Sequence, residues 1–207
     1  MGGAIQKNSH LWDREPDNWY VEEAWCSQRL FEVEDFPGRV VDPCAGMGNV
    51  VTGGFNAGIK VEGYDLRDRG FDGVVGGVDF FSWPQFPGRY PVDCVVSNSP
   101  YGVREAQQPV ERKRLEEEFI RLALARTRCK VAVLLQSTWD CGSARSSWLQ
   151  GLPLYRKYNL TPRPSMPPGP VIEAGEKPGG GTKDYAWYVF LHGFQGDPTL
   201  HWLRRDD

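Results

Sequence analysis

Short apolar runs bounded by turn residues recur along the chain, with helix-periodic stretches between them. Val40-Val41 closes one run just before Asp42, and Val61 to Asp65 forms a second. Val74-Val75 starts a third, Val92 to Ser97 makes a fourth and Val131 to Leu135 a fifth. Short apolar strands of this kind, alternating with helices, predict a mainly parallel sheet covered on both faces. Over 21–34, Val21, Ala24, Trp25, Leu30 and Phe31 outline the apolar face of a short helix. A second helix is predicted from about Asn49, after a cluster of glycines. A long charged helix is predicted from Val110 to Arg126, where Leu115, Phe119 and Leu122 fall at i, i+4 and i+7. Tyr185 to Leu191, aromatic and β-branched, predicts the last strand. Before it, from residue 160 onward, Pro and Gly crowd together (Thr161 to Pro170, Gly179 to Gly181) and read as a long surface loop. Strands alternating with helices imply an α/β fold: a mostly parallel sheet with helices on both faces.

The composition changes this picture little. A chain of 207 residues suits one domain. With 40% hydrophobic and 25% charged residues, disorder throughout is excluded. The net charge of -3 argues against a uniformly basic nucleic-acid binder, so any such contact needs a local patch. Five cysteines with no CxxC pair, and three scattered histidines, argue against a disulfide framework and a zinc site; no metal is expected. Met1 to Glu15 lacks the apolar core of a signal peptide, and Gln6 stands where a myristoylation signal needs Ser or Thr. No apolar run reaches membrane-spanning length. The expectation is a soluble, cytoplasmic protein.

Chemistry enters at the strand ends. Asp42-Pro43-Cys44-Ala45-Gly46-Met47-Gly48 follows a strand directly, and its glycines permit a tight turn and close approach to a ligand. Asp65, about 20 positions past that turn and at the end of the next strand, is placed to hold a ribose diol. A dinucleotide reading is weak, because the third glycine of GxGxxG is Val51 here. Asn98-Ser99-Pro100-Tyr101 ends another buried strand. The lone pair of an exocyclic amine is delocalised into its ring. An uncharged amide oxygen and a backbone carbonyl accept hydrogen bonds from that amine and favour a more nucleophilic nitrogen. Pro100 stiffens the backbone presenting the Ser99 carbonyl, and Tyr101 offers a flat face for an extruded base.

These motifs, in this order, resemble the amino-methyltransferases of the class I methyltransferase fold, especially compact DNA adenine methyltransferases of phage and prophage type. The resemblance covers roughly residues 17 to 140. Asp42 to Gly48 is similar to the family's DPxxGxG cofactor motif, and Asn98 to Tyr101 to its (N/D/S)PP(Y/F) catalytic motif. Ser99 departs from it by replacing the first proline. The resemblance implies a mostly parallel seven-stranded sheet with an antiparallel last hairpin, S-adenosylmethionine as cofactor and S-adenosylhomocysteine as its product. It implies that Asp65 holds the ribose beside Leu66, that Asp79 faces the cofactor's adenine amine, and that a phenylalanine of Phe80-Phe81 packs on the ring. Trp19 and Tyr20 would close over the methionine part. By this reading 1–35 is a cofactor-closing segment, 36–140 the cofactor and catalytic core, 141–184 substrate loops, and 185–207 the last strand and tail. Cys44 follows a proline, as in cytosine-C5 enzymes with a covalent cysteine, but its place in the Gly-rich turn argues for packing. Direct methyl transfer without a covalent intermediate is expected.

The substrate implied is nucleic acid, with adenine N6 of DNA first. RNA adenine, cytosine N4 and a protein glutamine amide share the chemistry, and the Asp-Pro spelling favours nucleic acid over protein. Candidate phosphate contacts are Arg104, Arg145 and Arg163. The chain has little room for a separate recognition region, so a partner subunit or homo-oligomer is a further expectation. A cofactor-binding subunit without activity is the alternative that Ser99 motivates.

Overall fold

Every strand of the predicted alternation forms, and the central apolar runs do so because each has a layer to bury against on either side. A computed structural model describes residues 19–83, 92–101, 114–176 and 179–206. The elements are α1 (Trp25–Val33), β1 (Val40–Asp42), α2 (Asn49–Asn56), β2 (Val61–Tyr64), β3 (Val74–Val75) and β4 (Val92–Ser97). Then follow α3 (Leu115–Arg126), β5 (Thr127–Gln136), a 3-10 turn (Trp139–Cys141), α4 (Ser143–Leu149) and β6 (Leu154–Thr161). The chain finishes with α5 (Gly169–Glu173), β7 (Tyr185–Leu191) and β8 (Thr199–Arg204). The eight strands make one sheet in the order β3-β2-β1-β4-β5-β7-β6-β8. All neighbours run parallel except at β7, which is antiparallel to β5 and to β6.

The sheet explains the consecutive apolar runs. On β5, Val131, Val133 and Leu135 pack with Phe119, Ile120 and Ala123 of α3 and with Tyr188 and Phe190 of β7. Ala132 and Leu134 belong to the other face, with Cys26, Leu30 and Phe31 from α1 and Trp187 of β7. Successive side chains alternate between two filled layers, so every position is apolar. The Trp187 indole is buried and donates to the Cys26 carbonyl at 2.8 Å, tying β7 to α1.

Three expectations are corrected. The sheet has eight strands rather than seven: Thr199–Arg204 adds an edge strand to β6, so Tyr185–Leu191 is not the last strand. Its signal was weak because one of its six residues, Leu203, is buried. The stretch 141–184 is not loop throughout, since α4, β6 and α5 lie in it. The helix expected over 21–34 begins at Trp25, because the backbone before it is engaged elsewhere: Val21 N–H donates to the Pro167 carbonyl, and Gly169 N–H to the Trp19 carbonyl, each at 2.9 Å. The described part of the charged helix is Leu115–Arg126, with Ile120 and Ala123 more buried than Leu122. None of the described helices is long and apolar enough to cross a membrane.

Helices α1 and α2 approach closely at Gly53. A Cβ there would sit 2.1 Å from Ser27 Oγ and 2.7 Å from both the Ala24 carbonyl oxygen and the Gln28 nitrogen. Alanine is the better helix former by up to about 1 kcal/mol. Backbone atoms cannot swing aside, so overpacking wins, and Gly53→Ala is expected to destabilise the fold by about 1–3 kcal/mol. Urea unfolding reads this directly, and an unshifted midpoint would mean that the helices separate at no cost.

A charged cluster joins α1 to the far half of the sheet. Glu34, its side chain 2% exposed, accepts from Lys130 Nζ at 2.5 Å, Arg156 Nη1 at 2.9 Å and the Tyr158 hydroxyl at 2.6 Å. Lys130 also donates to the Asp35 carbonyl at 2.6 Å.

Candidate active site

The chain runs outward from β1 through β2 to β3, then returns to place β4 on the other side of β1. Such a reversal opens a crevice beyond the carboxyl ends of the strands on either side. Asp42 ends β1, Asp65 follows β2 and Asn98 follows β4, so all three motif residues lie at the same edge of the sheet, Asp65 and Asn98 lining the crevice.

The turn after β1 is held from beneath. The buried Asp42 carboxylate accepts from Ser97 Oγ at 2.7 Å and from the Cys44 N–H at 3.1 Å. Ala45 N–H donates to the Tyr64 carbonyl, and Gly46 N–H to Asp65 Oδ2, each at 2.8 Å. Gly46 and Gly48 sit at φ 52° and 74°, a region that strains any residue with a Cβ, and Gly48 leads into α2. Asp42 and Gly48 thus shape the turn without lining the cleft. Burial pushes the Asp42 carboxyl well above the usual carboxylate range, against the Ser97 hydrogen bond and with help from the charges of Glu22 and Asp65. Burial, then Asp42 and Asp65, also pushes the Cys44 thiol well above its ordinary value. A thiol so held is a poor nucleophile, which agrees with a packing role.

The cleft encloses about 790 Å³, counting its open mouth. One wall is the turn Pro43, Cys44, Ala45, Gly46 and Met47. The opposite wall is Asp65, Leu66, Val78, Asp79, Phe80 and Phe81, with Arg67 and Arg69. Leu66 is held 60% exposed at the rim, while Phe80 is anchored by Phe119 at 4.7 Å between ring centres. Asp65 Oδ1 accepts from Arg67 N–H at 2.9 Å and pairs with Arg69 Nε at 3.6 Å. Arg69 lies over the Trp19 ring, 3.6 Å from its centre. Asp79 accepts from Phe81 N–H at 2.9 Å and from Ser82 Oγ at 2.8 Å.

Trp19, Tyr20, Val21 and Glu22 close the third side, beside Asn98 and Pro100. Asn98 Nδ2 donates to the Tyr20 carbonyl at 3.0 Å and to Glu22 Oε2 at 2.7 Å. Both amide hydrogens are thereby used, and Oδ1 is left as the acceptor. The Tyr101 hydroxyl turns inward, to Asn98 Oδ1 and to the Leu134 carbonyl at 3.0 Å. Burial, with the charges of Tyr185 and Glu22 next, raises its pKa well above the ordinary value, so it stays a donor. The Tyr101 ring is tilted 55° to that of Tyr20 at 6.5 Å. Ser99 is buried, and its hydroxyl has no hydrogen-bond partner among the described residues. A proline at that position leaves no such group to satisfy.

Of the proposed phosphate contacts, Arg145 and Arg163 do not line this cleft. Arg104 lies outside the described residues. Arg145 donates to the Trp139 carbonyl, stacks on the Trp139 ring at 4.6 Å and pairs with Glu117 of α3 at 3.4 Å. Arg163 is exposed and pairs with Asp184 at 2.6 Å. Trp139 is buried against Tyr188 and Trp148 rather than lining the cleft. No group of three or more His, Cys, Asp or Glu among the described residues could hold a metal ion. Glu22 and Arg69 are among the cleft residues that escaped the sequence reading. Glu22 lay inside a predicted helix with Glu23 beside it, whereas the helix begins only at Trp25. Arg69 carried no signal, since its place depends on Trp19.

The chain matches no family model, and no curated protein matches it in sequence. Solved structures match it in fold. A candidate class I S-adenosylmethionine-dependent methyltransferase from Listeria monocytogenes superposes with a TM-score of 0.56 at 12% identity, covering 87% of this chain and 62% of that one. The ATP-dependent Type ISP restriction-modification enzyme LlaBIII, bound to DNA, gives 0.55 at 9% identity over 92% of this chain and 20% of that one. A candidate RNA methyltransferase from Pyrococcus horikoshii gives 0.52 at 16% identity, covering 80% of each chain. This chain therefore corresponds to part of the first two proteins. At such identities the likeness is one of architecture: the chain has the fold of the class I S-adenosylmethionine-dependent methyltransferases.

Proposed function

We propose that this protein transfers a methyl group from S-adenosylmethionine to an exocyclic amino nitrogen, adenine N6 of DNA being the substrate. The observation that carries the reading is Asn98, a cleft-lining amide whose nitrogen is fully engaged, so that its oxygen is the end available to a substrate amine. An amide oxygen has two lone pairs, so it can accept from an amine as well as from Tyr101.

The cleft suits the cofactor. Leu66, Val78 and Phe80 offer apolar surface for an adenine, and Asp79 stands beside them. Each Asp65 oxygen accepts one backbone N–H and retains a lone pair for a ribose hydroxyl. Glu22, Asp65 and Asp79 bring carboxyl groups to a site meant for a sulfonium. Bound S-adenosylmethionine would supply an electrophilic methyl group. The residues of this chain do the rest: Asn98 Oδ1 and the Ser99 carbonyl accept from the target amine and sharpen its lone pair. Trp19 and Tyr20 exclude water from the methionine side, and Pro100 holds the backbone. Orientation in a dry site supplies most of the rate. The shared fold with a DNA-bound restriction-modification enzyme supports nucleic acid as substrate. Arg104, Arg145 and Arg163 remain the proposed phosphate contacts, with a partner subunit or homo-oligomer extending the surface.

The test is transfer of labelled methyl to single-stranded DNA, duplex DNA, RNA and protein in parallel, followed by nucleoside analysis. N6-methyladenine in DNA is the expected product. Label confined to RNA or protein keeps the chemistry and replaces the substrate. Cofactor binding with no transfer anywhere would favour a supporting subunit.

A further inference from the structure

Glu22 belongs to neither motif, yet its carboxylate is buried against the residue on which the proposed chemistry turns. Its backbone is anchored separately: the Glu22 carbonyl accepts from Asn49 Nδ2, at the start of α2. Fixed there, the side chain reaches Asn98 Nδ2 at 2.7 Å, while the Tyr20 carbonyl takes the other amide hydrogen at 3.0 Å. Rotating the Asn98 amide by a half turn would set its oxygen against a carboxylate and a carbonyl. Two hydrogen bonds would become two contacts between acceptors. Without Glu22, only the Tyr20 carbonyl on the amide nitrogen and the Tyr101 hydroxyl on the amide oxygen would choose between the two orientations, and the one charged partner would be lost.

We propose that Glu22 is a positioning residue that sets the hydrogen-bond polarity of Asn98, keeping the amide oxygen toward the target amine. The inference rests on the reading of Asn98 as the acceptor for that amine. It requires no contact between Glu22 and the substrate. Its signature is that donor and acceptor at the 22–98 contact can be exchanged as a pair but not singly.

The experiment is a double-mutant cycle on the full chain. Asn98→Asp keeps an acceptor for the amine but sets two carboxyl groups against each other, and kcat is expected to fall by about 10²-fold. Adding Glu22→Gln gives the new carboxylate an N–H donor and is expected to restore kcat by about tenfold or more, a coupling that independent sites do not show. Glu22→Gln by itself keeps an acceptor oxygen and should cost less than about tenfold. Thermal unfolding of all four proteins reads the contact without any cofactor: Asn98→Asp lowers Tm and the second substitution raises it again. Recovery of Tm without recovery of kcat would reduce Glu22 to a structural contact and overturn the proposal, as would strictly additive losses in both. Asn98→Ala run alongside separates the two levels. If that variant transfers methyl normally, the reading of Asn98 fails and takes this proposal with it. If it is inactive while the cycle is additive, only the role of Glu22 fails.

Discussion

Asn98→Ala is expected to lower the single-turnover rate of methyl transfer by about 10²–10³-fold, the range seen when one preorganised polar group is removed from a reacting centre. The rate should fall far more than cofactor affinity does. Asn98 is one of many side chains lining the cleft, whereas the proposed mechanism has one side-chain acceptor for the amine. Calorimetric titration with S-adenosylmethionine should therefore give a Kd within about tenfold of the native value, the change expected for a single lost hydrogen bond. The truncation also strands the partners of Asn98. Glu22 loses its donor in a buried site, and the Tyr101 hydroxyl keeps the Leu134 carbonyl. Some loss of stability is thus built into the experiment, and the comparison is made well below the unfolding temperature. A variant that retains a rate within about threefold of native would remove the amide from the mechanism.

Glu34→Ala is expected to cost about 3 kcal/mol of folding stability, the lower end of the range for breaking a buried ion pair by removing one partner. The lower end applies because Arg156 is 30% exposed and water screens its charge, while Lys130 at 11% keeps the Asp35 carbonyl and the Phe36 and Tyr155 rings. Glu34→Gln should cost less, since its oxygen can still accept from Tyr158. The pH dependence carries a sign. Burial by itself would raise the Glu34 carboxyl; hydrogen bonds from Lys130 and Tyr158, the Lys130 charge and the Arg156 bond outweigh it and lower its pKa from 4.5. A value depressed on folding contributes stability in full above the unfolded value, and that contribution fades as the pH falls through the folded one. Native protein should therefore lose more stability between about pH 7 and about pH 3 than Glu34→Ala does. Urea midpoints across that range measure the difference. Parallel losses would assign the cluster no share in acid unfolding.

Much of the site was legible because its residues announce local geometry. A Gly-rich turn after a buried strand, an acid at the next strand end and Asn98-Ser99-Pro100-Tyr101 at a third each depend on a few neighbouring residues. The order of strands then brings them together, and the cleft contains Pro43, Cys44, Ala45, Gly46, Asp65, Leu66, Asp79, Phe80, Asn98 and Pro100. Roles that depend on distant contacts were not legible. Asp42 turns out to brace the turn through Ser97, 55 residues away. Tyr101 directs its hydroxyl to Leu134, 33 residues away. Arg145 is enlisted by Trp139 and Glu117.

By itself the sequence determined the parallel α/β architecture, since short apolar strands alternate with helices and a run such as Val131 to Leu135, apolar at every position, needs two covered faces. It also determined the strand-end motifs, since tight turns and strand termini are written in a few adjacent residues. Tertiary structure alone decided the eighth strand and the non-helical course of residues 21–24. β8 depends on pairing with β6, and Trp19 and Val21 on hydrogen bonds to Gly169 and Pro167. The same non-helical segment leaves Glu22 rather than Glu23 facing Asn98. In a helix neither neighbour is marked out; here each carboxylate has its own distant partner, Glu22 taking Asn98 Nδ2 at 2.7 Å and Glu23 the Ser165 N–H at 3.0 Å, so Glu22 is the one that turns inward.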